Sequence, residues 1–275
     1  MVIEPGPPKD HSRFYRIDKR LRLVFILVSL LFFCPTVAST EAGASPSFAA
    51  MLPYRVAPVA AFPEKVSLKI MPLGDSITFG TPERSYGGYR HALGTLLTND
   101  GYIVDFVGSQ QSGNKVIPDP DNEGHSGWTI GQIKSGIDAN GWLETYQPDI
   151  ILLHIGTNDT HRGNAASAPG NLSALLDDIL ARLPQARVIV AQIIPFRWGP
   201  DQGHQSYNAA IPGIVASQGP RVSMVDMRNI LSGSDYADGL HPNASGYDKM
   251  ARAWETAIRA VVDREKRVKS RLRLE

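Results

Sequence analysis

The chain has 275 residues, of which 43% are hydrophobic, 20% charged and 8% aromatic, the composition of an ordinary globular protein. Its 28 basic and 27 acidic residues leave a net charge of +1, and no basic block lies inside the globular part, which argues against nucleic acid as a partner. The single cysteine, Cys34, cannot form an internal disulfide, and a domain of roughly 200 residues buries about 70% of its unfolded surface without needing one.

Read from its start, the chain places Lys19, Arg20 and Arg22 before an apolar stretch, Leu23 to Phe33, followed by Pro35 and the small residues Val37, Ala38 and Ser39. Charge, apolar run and small-residue cleavage site in that order predict a secretory signal peptide over residues 1–39, and hence a secreted protein. The eleven apolar residues would cover only about 16 Å as a helix, well short of a hydrocarbon core of roughly 30 Å. Anchoring by an uncleaved N-terminal segment is therefore the alternative reading, and no stable membrane insertion is expected after signal removal. Phe33 is too bulky for lipoprotein processing at Cys34. Residues 40–65, rich in Ala, Pro and Ser, read as a flexible linker.

From Val66 short apolar runs alternate with longer amphipathic ones. Strands are predicted at Ser67 to Pro72, Ile103 to Val107, Asp149 to Ile155, Arg187 to Ile194 and Arg221 to Val225. Helices are predicted at Tyr86 to Asn99, Thr129 to Asp138, Asn171 to Leu183, Gln205 to Gln218 and Ala244 to Arg264. In the last of these Met250, Ala253, Trp254, Ala257, Ile258 and Val261 recur at the three- and four-residue spacing of one buried face. The pattern predicts an α/β fold, a three-layer α/β/α sandwich on a five-stranded parallel sheet, over residues 66–263. Residues 264–275 form a basic C-terminal tail, the solvated end of the last helix.

Three polar segments leave the carboxyl ends of predicted strands: Gly74-Asp75-Ser76 after the first, Gly108 after the second and Gly156-Thr157-Asn158-Asp159 after the third. Open α/β sheets place their ligands at that edge. A serine there needs a base within hydrogen-bond reach and a third group that orients the base. Asp238-Gly239-Leu240-His241 supplies both, because an acid three residues ahead of a histidine can fold back on it across one turn. Asp238 then fixes the imidazole tautomer and leaves the other nitrogen to take the Ser76 proton. A developing oxyanion would be met by the backbone N–H groups of Ser76 and Gly108 and by the side-chain amide of Asn158. Glycine lets backbone approach a ligand closely, and the Asn amide is a neutral, directional donor. Asp75 reads as support for the turn.

These residues resemble the consensus blocks of the GDSL/SGNH hydrolase family, matched here by Gly74 to Thr78, by Gly108, by Gly156 to Asp159 and by Asp238 to Pro242. The resemblance runs from about Val66 to Ala260. It implies a flavodoxin-like SGNH hydrolase fold, Ser76 as nucleophile, Asp238 and His241 as its partners, and Ser76, Gly108 and Asn158 as the oxyanion hole. Glu123 to Ile130, with Val104 to Ser109, is further similar to the acetylxylan-esterase-like branch, carbohydrate esterase family three, although Asn122 stands where that branch carries a histidine. The branch implies a short-chain acyl ester, chiefly an acetylated carbohydrate, as substrate. His125, as a residue lining the cleft, and Trp128, as an aromatic face, are read as substrate-binding residues.

No Gly-x-Ser-x-Gly elbow, His-Glu-x-x-His pair or Gly-x-x-x-x-Gly-Lys loop occurs in the chain, so neither a metal nor another cofactor is expected. His154, inside an apolar strand, reads as a hydrogen-bonded core histidine. Two alternatives remain open in the sequence. One is a lipid acyl hydrolase using the same residues. The other is a non-catalytic carbohydrate-binding module that would stack sugars on Trp128, Trp142 and Trp198.

Overall fold

The computed structural model describes residues 65–83, 87–113, 117–197 and 202–272, so the predicted signal peptide, almost all of the predicted linker and Trp198 lie outside the described residues. Its strands are β1 (Ser67–Gly74), β2 (Ile103–Phe106), β3 (Gln110–Gln111), β4 (Asp121–Gly124), β5 (Ile150–His154), β6 (Arg187–Gln192) and β7 (Val222–Asp226). Its helices are α1 (Ser76–Phe79), α2 (Arg90–Asn99), α3 (Ile130–Asn140), α4 (Trp142–Tyr146), α5 (Thr157–His161), α6 (Ala168–Arg182), α7 (Gln202–Ser217) and α8 (Ala244–Leu272).

The five predicted strands pair in parallel in the order β2-β1-β5-β6-β7. The order reverses at β1, so the switch point where such sheets bind ligands lies between β1 and β5. Successive side chains of a strand face opposite sides, and both sides here are apolar. Ile150 and Leu152 of β5 pack with Leu93 and Leu97 of α2 and with Trp254 and Ile258 of α8. Ile151 and Leu153 pack instead with Ile133 and Ile137 of α3 and with Leu172 and Leu176 of α6. Each such Leu or Ile, fully buried, contributes about 1.5–3 kcal/mol, so the three-layer α/β/α arrangement follows from apolar strands that can be covered only by helices on both faces.

The structure adds elements to the predicted scheme. β2 pairs only the first half of β1, Ser67 to Ile70. Beyond it, β4 takes over the same edge, setting Leu73 against Glu123 and Gly74 against Gly124. The short strand β3 runs antiparallel to β4. Asn122, buried, holds this hairpin: its amide donates to the Gln110 and Pro120 carbonyls, each at 3.2 Å, and its oxygen accepts from Gly124 N–H at 2.9 Å. Helix α2 begins at Arg90 because Gly87 and Gly88 have φ of 65° and 59°, outside the right-handed helical region. Helix α8 continues to Leu272, eight residues beyond the predicted end at Arg264, and so takes in most of the basic tail.

Candidate functional site

Ser76 is the first residue of α1, directly beyond β1, and only 9% exposed. The Asp75 side chain caps this one-turn helix by accepting from Ile77 N–H at 3.0 Å, as Asp commonly does at an N-cap. Burial pushes the Asp75 carboxyl up to about 7 against that hydrogen bond, with the nearby Asp159 adding to the rise. The other end of α1 is tied by Arg90, whose fully buried guanidinium donates to the Thr78 carbonyl at 2.6 Å and to the Ser112 carbonyl and hydroxyl at 2.9 and 2.6 Å. Desolvation lowers its pKa to about 10, so it stays charged at neutral pH.

Across the sheet edge, the loop before α8 brings in the remaining pair. His241 Nε2 lies 2.9 Å from Ser76 Oγ, and its Nδ1 lies 2.9 Å from Asp238 Oδ2. The other carboxylate oxygen of Asp238 accepts from the Leu240 and His241 backbone N–H groups, both at 2.7 Å. Burial works to raise the Asp238 pKa, but these hydrogen bonds from His241 and Leu240 outweigh it and hold the carboxyl below its ordinary range. The loop is closed by Ala237 N–H donating to the His241 carbonyl at 2.9 Å. It is anchored by the buried Asp235, which accepts from Ser232 N–H, Ser245 Oγ and Lys249 Nζ at 2.6, 2.9 and 2.6 Å. An anionic acceptor at Nδ1 makes that nitrogen the protonated one, so Nε2 faces the serine as an acceptor.

Gly108 and Asn158 reach the same edge from β2 and β5. A Cβ on Gly108 would lie 2.2 Å from both the carbonyl carbon and oxygen of Asn122, so β4 leaves space there for no side chain. Asn158, in α5 and 8% exposed, spends one amide hydrogen on the Trp128 carbonyl at 2.9 Å. An Asn amide carries two, and the second is left for a ligand. The structure therefore brings a hydroxyl, an oriented imidazole and two neutral donors to one edge, the set that acyl transfer requires. The described residues hold no group of three or more His, Cys, Asp or Glu able to bind a metal ion, and no helix among them is long and apolar enough to cross a membrane.

His125 and Trp128, predicted to bind substrate, sit beside Asn158 in a different setting. The His125 imidazole stacks with both Trp128 and Trp142, with ring centroids 4.1 and 4.7 Å away, and its Nε2 donates to Glu123 Oε1 at 2.6 Å. The His125 side chain is only 10% exposed, so little of it is open to a ligand. Trp142 is 6% exposed and belongs to the core, so it offers no platform to a sugar. His154 is buried as expected but is not hydrogen-bonded: neither ring nitrogen has a partner among the described residues. Desolvation, with His204 nearby, pushes its pKa down to about 3, and it is held neutral. Glu123 and Arg90 were missed as site residues. The first lies within the Glu123 to Ile130 stretch singled out in the sequence, whereas nothing in the sequence marks the second.

Residues 73–249 match the profile of the family described as GDSL-like lipase/acylhydrolase. A multidomain esterase from Ruminococcus flavefaciens is 34% identical over 271 residues, covering 88% of this chain. The chain spans only 32% of that protein's length. Among solved structures, a family 3 carbohydrate esterase from Clostridium thermocellum is 41% identical with a TM-score of 0.62, covering 72% of this chain and 98% of its own. A carbohydrate esterase family 3 protein from Talaromyces cellulolyticus is 34% identical with a TM-score of 0.60, covering 71% of this chain and 99% of its own.

Proposed function

Because the chain belongs to the GDSL-like lipase/acylhydrolase family, and is in that sense a carboxylic ester hydrolase, we propose that it is a secreted serine esterase removing short acyl groups, acetyl above all, from carbohydrate hydroxyls. The observation that carries the reading is the continuous chain from Ser76 Oγ through His241 to Asp238, each link 2.9 Å, at the switch point of the sheet. His241 Nε2 takes the hydroxyl proton as Ser76 attacks the ester carbonyl, and Asp238 stabilises the imidazolium that forms. The tetrahedral oxyanion is met by the N–H groups of Ser76 and Gly108 and by the Asn158 amide. His241 then returns its proton to the departing sugar oxygen, and water, activated by the same imidazole, releases the acid from the acyl-enzyme.

The carbohydrate half of the proposal draws support from the two family 3 carbohydrate esterases that this chain resembles. Secretion draws support from the residue order of positions 1–39 alone. The test is kinetic. Ser76→Ala should abolish turnover with the fold intact, and a serine-reactive phosphonate should label Ser76. Rates on an acyl-length series should fall beyond about four carbons, because a wall that blocks added methylenes costs of the order of 1–3 kcal/mol. Acetate should be released from acetylated xylan. Preference for acyl chains of about eight carbons or more, without acetate release from any polysaccharide, would move the protein to lipid acyl hydrolysis.

A further inference from the structure

We propose that residues Glu123 to Trp128 act as one positioning unit that sets both outer donors of the oxyanion hole, with the buried Glu123 carboxylate as its fixed point. The proposal rests on the assignment of Gly108 and Asn158 to that hole. It follows from where this one segment is tied. On the β2 side, Glu123 accepts from the Ser109 backbone N–H at 2.6 Å and from its hydroxyl at 2.7 Å. Val107 N–H, on the other side of Gly108, donates to the Ile70 carbonyl at 2.9 Å. The orientation of Gly108 is therefore bracketed from both neighbours. On the β1 side, His125 N–H donates to the Gly74 carbonyl at 2.8 Å, two residues before the nucleophile. On the β5 side, the Trp128 carbonyl receives the Asn158 amide at 2.9 Å.

The three attachments are joined inside the segment. Glu123 Oε1 takes the His125 ring N–H, Trp128 N–H donates to the His125 carbonyl at 3.1 Å, and the imidazole stacks on two indoles. A loop needing only to fill space would be better served by an apolar side chain, since a carboxylate loses its hydration on burial. Glu123 is 0% exposed and gives both oxygens to groups that lead to the hole. Donors of this kind stabilise a transition state only while they stay aimed at where the charge appears.

The experiment measures kcat, KM, the pH profile of kcat/KM and the melting temperature of Glu123→Gln and His125→Phe on p-nitrophenyl acetate, with Ser76→Ala alongside. Gln offers one acceptor oxygen and cannot serve Ser109 and His125 as the carboxylate does. Phe keeps the aromatic stack and removes the donor to Glu123. Glu123→Gln should lower kcat about 10- to 100-fold, the size of effect a small misplacement produces, with KM changed by less than about threefold. His125→Phe should shift the same quantity in the same direction by less. The pH profile of kcat/KM should not move in either.

If both variants keep kcat within about twofold of the wild type, or lose only KM, the unit does not set the hole. A displaced pH profile would mean that the unit acts on the proton relay of Ser76, His241 and Asp238 instead, which also overturns the proposal. Should Glu123→Gln not fold, His125→Phe decides alone. Retained turnover in Ser76→Ala would refute the esterase assignment, whereas an inactive Ser76→Ala beside an unaffected Glu123→Gln refutes only the positioning unit.

Discussion

Asp75 and His154 sit at the ends of paired strands below the nucleophile, and burial perturbs them with opposite consequences for stability. The Asp75 carboxyl is raised to about 7 from an ordinary value of 3.8. Between those values the folded protein keeps a proton that the unfolded chain has lost, so this group makes stability fall as pH rises. His154 is lowered to about 3 from 6.5. Over that window the unfolded chain holds the extra proton, so this group makes stability rise with pH and is a source of acid lability. Asn caps a helix as well as Asp, so Asp75→Asn should remove the first effect and leave the second. The melting temperature of the variant should climb more steeply than that of the wild type between about pH 4 and 7. Parallel curves would mean that Asp75 is ionised in the folded protein throughout. Single residues differed greatly in how well the sequence announced them. Ser76, Asn158, Asp238 and His241 were legible because each stands within a few residues of a strand end or of its partner. Arg90 was not, since its acceptors Thr78 and Ser112 lie 12 and 22 residues away, and an arginine in a helical stretch otherwise reads as solvated.

At the scale of elements, α1 is the telling case, because four residues cannot hold a helix by themselves. Its start depends on the Asp75 cap and its end on the buried fork of Arg90. Lysine carries the same charge as a point, without the planar fork. Arg90→Lys should therefore cost about 1.5–3 kcal/mol, the worth of charge-assisted hydrogen bonds. That corresponds to a drop of roughly 3–12 °C in melting temperature for a domain of this size, accompanied by lower kcat as Ser76 loses its seat. An unchanged melting temperature by calorimetry would show that α1 is held by packing alone. The parallel strands and long helices were readable because their apolar periodicity is local. β4 was not, since Asp121-Asn122-Glu123-Gly124 carries no apolar alternation. It exists as a strand because the far half of β1 needs a partner that β2 is too short to provide, and pairing of that sort is a property of the assembled sheet. The start of α2 was mistaken by the same periodicity, which registers Tyr86 and Tyr89 but not the left-handed glycines between them.

For the whole molecule, a sheet covered on both faces explains why the domain needs no crosslink, and it also shows where its stability ends along the chain. The last buried side chain of α8 is Val262, whereas Val268 and Leu272 are 51% and 67% exposed. Of the contacts beyond that point, the ion pair of Glu265 with Arg187, at 2.9 Å, is partly exposed and worth about 0–1 kcal/mol. Truncation after Arg264 should therefore lower the melting temperature by less than about 4 °C and leave kcat unchanged. A larger loss by thermal denaturation would assign a structural role to the basic turns. The first residues of β1 and the outer turns of α8 line one shared groove, with Val66 and Leu68 facing Val261 and Val268, at the amino edge of the sheet. Ser76 and its partners occupy the opposite edge. Entrance and exit of the domain thus share one side, like two leads on one face of a plug, and the catalytic edge points away from both. A domain wired in this way can be strung between other modules with the approach of a bulky polymer to Ser76 left open.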